Sequence, residues 1–152
     1  MPDNPLPFAR TTGFRTWAGL ILAASLLSGC DMLSNSVTTD YATLAEARAG
    51  GLGGWLPDVV PASATDIHVS TNMDLGFSVG EFWFASADAP AFFMRLEPGA
   101  PPSAPFDSWS DTVVEYCEDG YLAHSIHEGR ETTVFFCHEQ KKRCDYFSWT
   151  NR

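Results

Sequence analysis

Glu115 and His124 are the residues of this chain whose types best suit acid–base chemistry, a carboxylate and an imidazole on either side of an Asp119-Gly120 turn signal. A two-residue hairpin at that signal pairs Glu118 with Tyr121, Cys117 with Leu122, Glu115 with His124 and Val113 with Ile126. A carboxylate beside an imidazole favours the charged ring and can poise it for proton transfer. The same pair is also an ordinary cross-strand surface contact, and that reading is preferred. Ser125 points away from His124 on a regular strand, so it cannot serve as a nucleophile activated by that ring. Asn72-Met73-Asp74, with Asp66 upstream, offers oxygen ligands for a hard cation, but the spacing does not follow an EF-hand loop and a polar turn is the simpler reading. The chain holds no phosphate loop, dinucleotide fingerprint, nucleophile elbow or paired-histidine metalloprotease motif.

Cysteine offers the other chemistry. A turn at Gly129-Arg130 pairs Leu122 with Cys137 and His124 with Phe135, although it also opposes Glu128 to Glu131, an unfavourable like-charge pair. A last turn within His138–Arg143 sets Cys144 opposite Cys137. In this register Cys117 and Cys137 flank the strand carrying Leu122, about two strand spacings or roughly 9.5 Å apart. A disulfide needs Cα atoms within about 7 Å. The expected bridge is therefore Cys137–Cys144, with Cys117 a buried free thiol. A zinc site would draft Cys137, His138 and Cys144 with His124 or His127. No Cys-x-x-Cys pair occurs, and neighbours on a strand point to opposite faces, so neither a metal nor any other cofactor is expected.

These side chains need elements to hold them. Thr43-Leu44-Ala45-Glu46 fits a capping box, Ala45, Ala47 and Ala49 favour helix, and Gly50-Gly51 offers a left-handed stop. Gly54–Pro61 reads as a compact turn with Trp55, Leu56, Val59 and Val60 as core candidates. A strand starts at Ile67 and Val69 and breaks at Ser70-Thr71-Asn72. A second runs from about Leu75 to Phe84, where Phe77 and Val79 are out of phase with Phe82 and Phe84, and a β-bulge near Gly80-Glu81 would repair the parity. Asp88–Leu96 places Ala89, Phe92, Phe93 and Leu96 on one helical face, with Pro90 in its first turn and Pro98 as its stop. The fold class is α+β: an antiparallel sheet, made of an N-terminal hairpin and a C-terminal four-strand meander, with one or two short helices packed on it. Tryptophans 55, 83, 109 and 149 read as core or half-buried sheet residues. The proline-rich Pro98–Pro105 is short enough to be a loop inside one domain.

The N-terminus carries an address. Arg10 and Arg15 precede an uncharged run, Thr16–Leu27, which as a helix is about 18 Å long, too short for a hydrocarbon core of roughly 30 Å. A basic start, a short apolar run and small residues at a cut site describe a signal peptide. Leu27-Ser28-Gly29-Cys30 resembles the lipobox of bacterial lipoproteins. The resemblance implies cleavage before Cys30 and at least two acyl chains on that residue, enough for durable anchoring. Asp31 resembles the inner-membrane retention signal of enterobacterial lipoproteins, which favours the periplasmic face of the inner membrane over the outer membrane. The division that follows is a cleaved signal at 1–29, a lipidated cysteine and polar tether at 30–40, with an average reach of roughly 16–19 Å if flexible, and one domain at 41–152. Three cysteines then remain in an oxidising compartment.

Loss of residues 1–29 leaves 123 residues with seven basic and eighteen acidic side chains, a formal charge of −11. That surface is repelled by phosphate backbones, so nucleic-acid binding is not expected. Tyr41-Ala42-Thr43, Gly54-Trp55-Leu56-Pro57, Pro61, Ser63-Ala64 and Ile67 together resemble small bacterial envelope proteins with a YbbD-like head domain. The resemblance spans about residues 41–84 and implies no catalytic residues. Gly50-Gly51-Leu52-Gly53 departs from the longer, more polar helix continuation it would imply. The expected function is a membrane-anchored, non-enzymatic module that binds an envelope protein. Alternatives are a hydrolase using Glu115 and His124, an immunity or inhibitor lipoprotein whose acidic charge suits a basic target, and a redox sensor at Cys137/Cys144.

Overall fold

The computed structural model describes residues 35–151; the segment expected to be an export signal, with Cys30 and Asp31, lies outside the described residues. The elements are β1 (Ser36–Thr43), α1 (Leu44–Ala49), β2 (Thr65–Asn72), β3 (Phe77–Trp83), α2 (Ala89–Phe93), β4 (Glu97–Pro98), α3 (Trp109–Glu118), β5 (Leu122–Glu128), β6 (Glu131–His138) and β7 (Arg143–Thr150). All seven strands form one antiparallel sheet in the order β1-β2-β3-β7-β6-β5-β4. The fold is α+β, as expected. Two meanders, β1-β2-β3 and β5-β6-β7, are joined where β3 pairs with β7. None of the helices among the described residues is long and apolar enough to cross a membrane.

The N-terminal unit has three strands rather than the two of the expected hairpin. β1 begins at Ser36, inside the segment read as tether, and pairs along its length with β2, from Ser36 opposite Asn72 to Thr43 opposite Thr65. Val37, Thr39 and Tyr41 alternate toward one face, and β-branched and aromatic residues suit a pleated surface. The polar remainder that looked like tether belongs to an edge strand, where serine, threonine and aspartate meet water.

Helix α1 starts as its sequence predicts. The Thr43 hydroxyl accepts the Glu46 amide at 3.3 Å, and the Glu46 carboxylate accepts the Ala42 amide at 3.1 Å. Its end differs from expectation, because Gly50 is extended (φ −78°) rather than left-handed. Glycine is needed there for space: a Cβ on Gly50 would run into the Tyr41 ring, whose hydroxyl accepts the Leu52 amide. Arg48 then donates to the carbonyls of Gly53, Leu56 and Pro57 at 3.2, 2.5 and 2.7 Å. That clamp sets the turn so that Leu56, Val59 and Val60 enter the core.

The sheet carries an apolar cluster on each face, which explains the parity of β3 without a bulge at Gly80-Glu81. β3 pairs regularly with β7 from Phe77 opposite Trp149 to Trp83 opposite Arg143. Phe82, followed by Phe84, joins the core on one face with Ile67, Val69, Phe135 and Tyr146, while Phe77 belongs to the aromatic core on the other. The irregularity in this hairpin falls in β2, between Thr65 and His68, where Asp66 has φ 49°. The first of these faces also carries Cys137 and Cys144, which stand opposite each other with Cα atoms 4.1 Å apart and are joined by a disulfide.

On the disulfide face α2 lays Phe92 against Phe82, Phe84 and Phe135, with ring centroids 5.3–6.1 Å apart. The helix stops at Phe93, short of Leu96, and Glu97–Pro98 becomes a two-residue edge strand opposite Ser125 and His124. Proline is tolerated on an edge because no ladder partner needs its missing N–H.

The largest departure is α3. Val113, Glu115 and Cys117, expected on a strand, lie on a helix, and the C-terminal meander has three strands instead of four. Asp119-Gly120 ends that helix rather than turning a hairpin. Gly120 is left-handed (φ 84°), its amide reaches the Cys117 carbonyl at 3.1 Å, and the Tyr121 amide reaches the Tyr116 carbonyl at 3.0 Å. Those two bonds make a Schellman stop, which uses the same glycine preference as a tight turn. Trp109, Val113 and Tyr116, spaced four and three apart, pack on the sheet, and Tyr116 stacks on Phe136 with ring centroids 4.2 Å apart. The proline-rich loop is pinned over the same face by Trp109 Nε1, which donates to the Pro101 carbonyl at 2.8 Å.

Candidate interaction surface

The helix-α3 face is covered over β5, β6, β7 and the Phe77 end of β3, and left more open over β1, β2 and the Trp83 end of β3. Register sets four polar residues in one cross-strand row there: Asp40 opposite His68, His68 opposite Glu81, and Glu81 opposite Asp145. Direct partners on neighbouring strands point to the same face, so the row runs from the β1 edge inward to the foot of α3. His68 Nδ1 lies 2.5 Å from Asp40 Oδ1. Arg143 bonds Glu81, and its Nε donates to Asp145 Oδ1 at 2.8 Å. Its guanidinium also sits over the Trp83 ring, 5.1 Å from the centroid, a favourable cation–π arrangement.

The inner end of the row is held rigidly. Tyr116 donates its phenol proton to Asp145 Oδ2 at 2.9 Å. Burial, reinforced by that carboxylate, pushes the Tyr116 pKa well above its ordinary value, so the phenol stays a donor. Burial works against the Arg143 charge, but the Asp145 and Glu81 carboxylates outweigh it and raise the guanidinium pKa. The outer end is open. Asp40, Asp66, His68, Glu81 and Trp83 line a shallow depression of about 380 Å³. Such a surface can accept hydrogen bonds from a cationic group and stack against its apolar stem. The His68–Asp40 pair has no activated hydroxyl beside it: Ser70, the next residue on that face of β2, shares its hydroxyl with Thr38 at 2.9 Å.

A second, apolar groove of about 540 Å³ lies at one end of the sheet, between the proline-rich loop and the strands, with Leu75, Phe77, Phe106 and Trp149 in its walls.

The acid–base candidates of the sequence are kept apart. Glu115 is on α3, whereas His124 points from β5 to the disulfide face and packs on Phe93, ring centroids 4.8 Å apart. Desolvation by burial lowers the His124 pKa, against a weaker opposing pull from Glu139. The hydrolase built on that pair therefore has no geometric basis. Cys117 is exposed on α3, not buried as expected, because it lies on a helix rather than inside a meander. Asp66 and Asp74 stand at opposite ends of β2. Asp74 accepts from Asn35, and Asn72 Oδ1 accepts the Leu75 amide at 3.1 Å, the behaviour of a polar turn. The sulfurs of Cys137 and Cys144 are consumed in the bridge, and His138 packs on Tyr121. Among the described residues no group of three or more His, Cys, Asp or Glu side chains could hold a metal ion.

Sequence reasoning missed the row and the Arg48 clamp. The row depends on β1, whose Ser36–Asp40 portion reads as tether, and on a long-range β3–β7 pairing that no local pattern announces.

No curated protein and no solved structure matches the chain. Residues 35–83, which hold β1, α1, β2 and β3, match the family model of the YbbD head domain, in line with the resemblance read from the Gly54-Trp55-Leu56-Pro57 segment and with an envelope-associated protein.

Proposed function

We propose that this chain is a lipid-anchored envelope module that binds a protein partner through the open sheet face carrying Asp40, His68, Glu81 and Trp83. The observation that carries the reading is the half-covered face: a row whose inner end is fixed by Tyr116, Arg143 and Asp145, and whose outer end meets solvent. Pre-set side chains lose little freedom on binding, which favours recognition over a floppy acidic surface. The acidic row and the formal charge of −10 on the whole chain favour a partner with basic groups at the contact. The lipobox supplies the attachment, with acyl chains on Cys30 and Asp31 directing retention at the periplasmic face of the inner membrane.

Crosslinking and co-purification from membranes test the binding. The parent is expected to capture one defined protein, and a Glu81→Ala/Trp83→Ala variant to lose at least tenfold of it while keeping its fold. Equal capture by both would contradict the assignment of this face. Fractionation tests the anchor: Cys30→Ser is expected to leave the membrane, and unchanged processing and membrane retention would contradict it.

A further inference from the structure

The strand register defines two ends of the sheet. Ser36, Asn72, Phe77, Trp149, Thr132 and His127 form one continuous cross-strand row at the end where β1 begins. The β6–β7 turn, with Lys141 and Lys142, lies at the opposite end. Five residues, Asp31–Asn35, separate Cys30 from Ser36. Fully extended they reach no more than about 20 Å. Whichever way the domain turns, an anchor on Cys30 keeps the Ser36 end close to the bilayer.

The β2–β3 turn exposes apolar side chains at that end, beside the charged β5–β6 turn. Six large hydrophobic residues are well exposed among the described residues, and three of them sit there: Val37 at 45%, Met73 at 53% and Leu75 at 46%. Met73 and Leu75 project from the β2–β3 turn. Leu75 continues directly into the 540 Å³ groove walled by Phe77, Phe106 and Trp149. Single exposed apolar side chains are normal, but three at one end of the sheet, two of them on one turn beside an apolar-walled groove, mark a contact site. Three of the charged groups nearby are engaged within the domain, and Glu128 is exposed at the β5–β6 turn. The Asp74 carboxylate accepts from Asn35, Glu131 accepts from the Ser148 hydroxyl at 2.6 Å, and Arg130 donates to the Asn151 carbonyl at 3.2 Å.

We propose that the β2–β3 turn is a membrane-apposed tip, with Met73 and Leu75 entering the boundary between headgroups and acyl chains of the bilayer that holds the anchor. This rests on lipidation at Cys30. It adds an orientation: the sheet stands on the membrane by its Ser36 end, the β6–β7 turn points away, and the Asp40–His68–Glu81–Trp83 face is turned sideways to a partner. Side-chain insertion of this kind draws on buried apolar area and needs no anionic lipid.

The test uses the full-length chain purified from membranes and reconstituted into zwitterionic phosphatidylcholine vesicles. Cys117→Ser removes the exposed thiol, and an environment-sensitive fluorophore is placed at Met73→Cys, Leu75→Cys or, as control, Lys141→Cys. At positions 73 and 75 the probe is expected to shift to the blue in vesicles and to be quenched severalfold more by bromolipids than by aqueous iodide. At 141 the ratio is expected to reverse. Water-like probes at all three positions on vesicle-bound protein would overturn the tip while leaving the anchor intact. Protection that grows with protein concentration and is indifferent to lipid would assign the patch to a second copy instead. An unacylated chain in the soluble fraction would overturn both the anchor and the tip.

Discussion

The two faces of the sheet are built from the same strands by different rules. On the disulfide face α1, the Gly53–Pro61 turn and α2 cover the pleat, and Phe82, Phe135, Tyr146 and the cystine are all shut from solvent. On the other face α3 and the proline-rich loop cover β5, β6, β7 and the Phe77 end of β3, and the row from Asp40 to Glu81 carries paired charges. Gly80 shows how tight the first face is, since a Cβ there would meet the His68 carbonyl and the Tyr146 ring. Burial pushes the Tyr146 pKa up to about 12, against the lowering effect of its hydrogen bond with Ser78. On the other face His68, directly opposite Glu81 on β3, keeps a half-exposed ring in contact with Asp40. One face thus supplies stability and the other is free to specify contacts.

The sharpest way to break this contrast is to empty the covered face. Phe82→Ala removes a fully buried ring that touches Phe84, Phe92 and Phe135. It is expected to cost about 3–5 kcal/mol in denaturant unfolding, whereas His68→Ala on the open face should change stability by less than about 0.5 kcal/mol. Comparable losses would erase the distinction. Next comes the cystine, which closes a short loop of seven-residue separation. A Cys137→Ser/Cys144→Ser double variant is expected to lose about 2–3 kcal/mol, read as a fall in midpoint that reductant reproduces in the parent and not in the variant.

A smaller effect tests the join between the two halves of the open face. Tyr116→Phe deletes the donor to the buried Asp145 carboxylate, and a hydrogen bond to a charged group is worth about 1.5–3 kcal/mol. The expected loss is at the lower end, because Arg143 still satisfies Asp145. The smallest effect is a pH dependence at His124. Its folded pKa is lowered, so between that value and the ordinary imidazole value of about 6.5 the unfolded chain binds more protons than the folded one. Stability is fully present above about pH 6.5 and declines as pH falls into that window. His124→Gln should flatten that part of the profile, and an unchanged slope would place the titration elsewhere.

Much of the C-terminal half was legible because its turns are short and announce themselves. Gly129 is left-handed (φ 62°), as a tight turn requires, and sets Leu122 opposite Cys137 and His124 opposite Phe135, while the turn within His138–Arg143 sets Cys137 opposite Cys144. The like-charge opposition of Glu128 and Glu131 is real, and it is relieved by Glu131 turning to Ser148. Helix α3 was illegible for a physical reason. Asp-Gly serves a hairpin and a Schellman stop equally well, and Val113-Val114 favours strand. The helical spacing of Trp109, Val113 and Tyr116 was the competing signal, and burial against Phe136 and Phe147 decided in its favour. The open face stayed hidden because its register needs β1, whose polar residues look like a tether until β2 pairs with them.

The central claim is that the open face exists for a partner. Its most direct test is photocrosslinking in intact cells with a photoreactive residue at Trp83, beside one at Leu122 on the disulfide face. A discrete adduct from position 83 and none from position 122 is the predicted result. Adducts from 122 alone, or identical patterns from both, would contradict the claim.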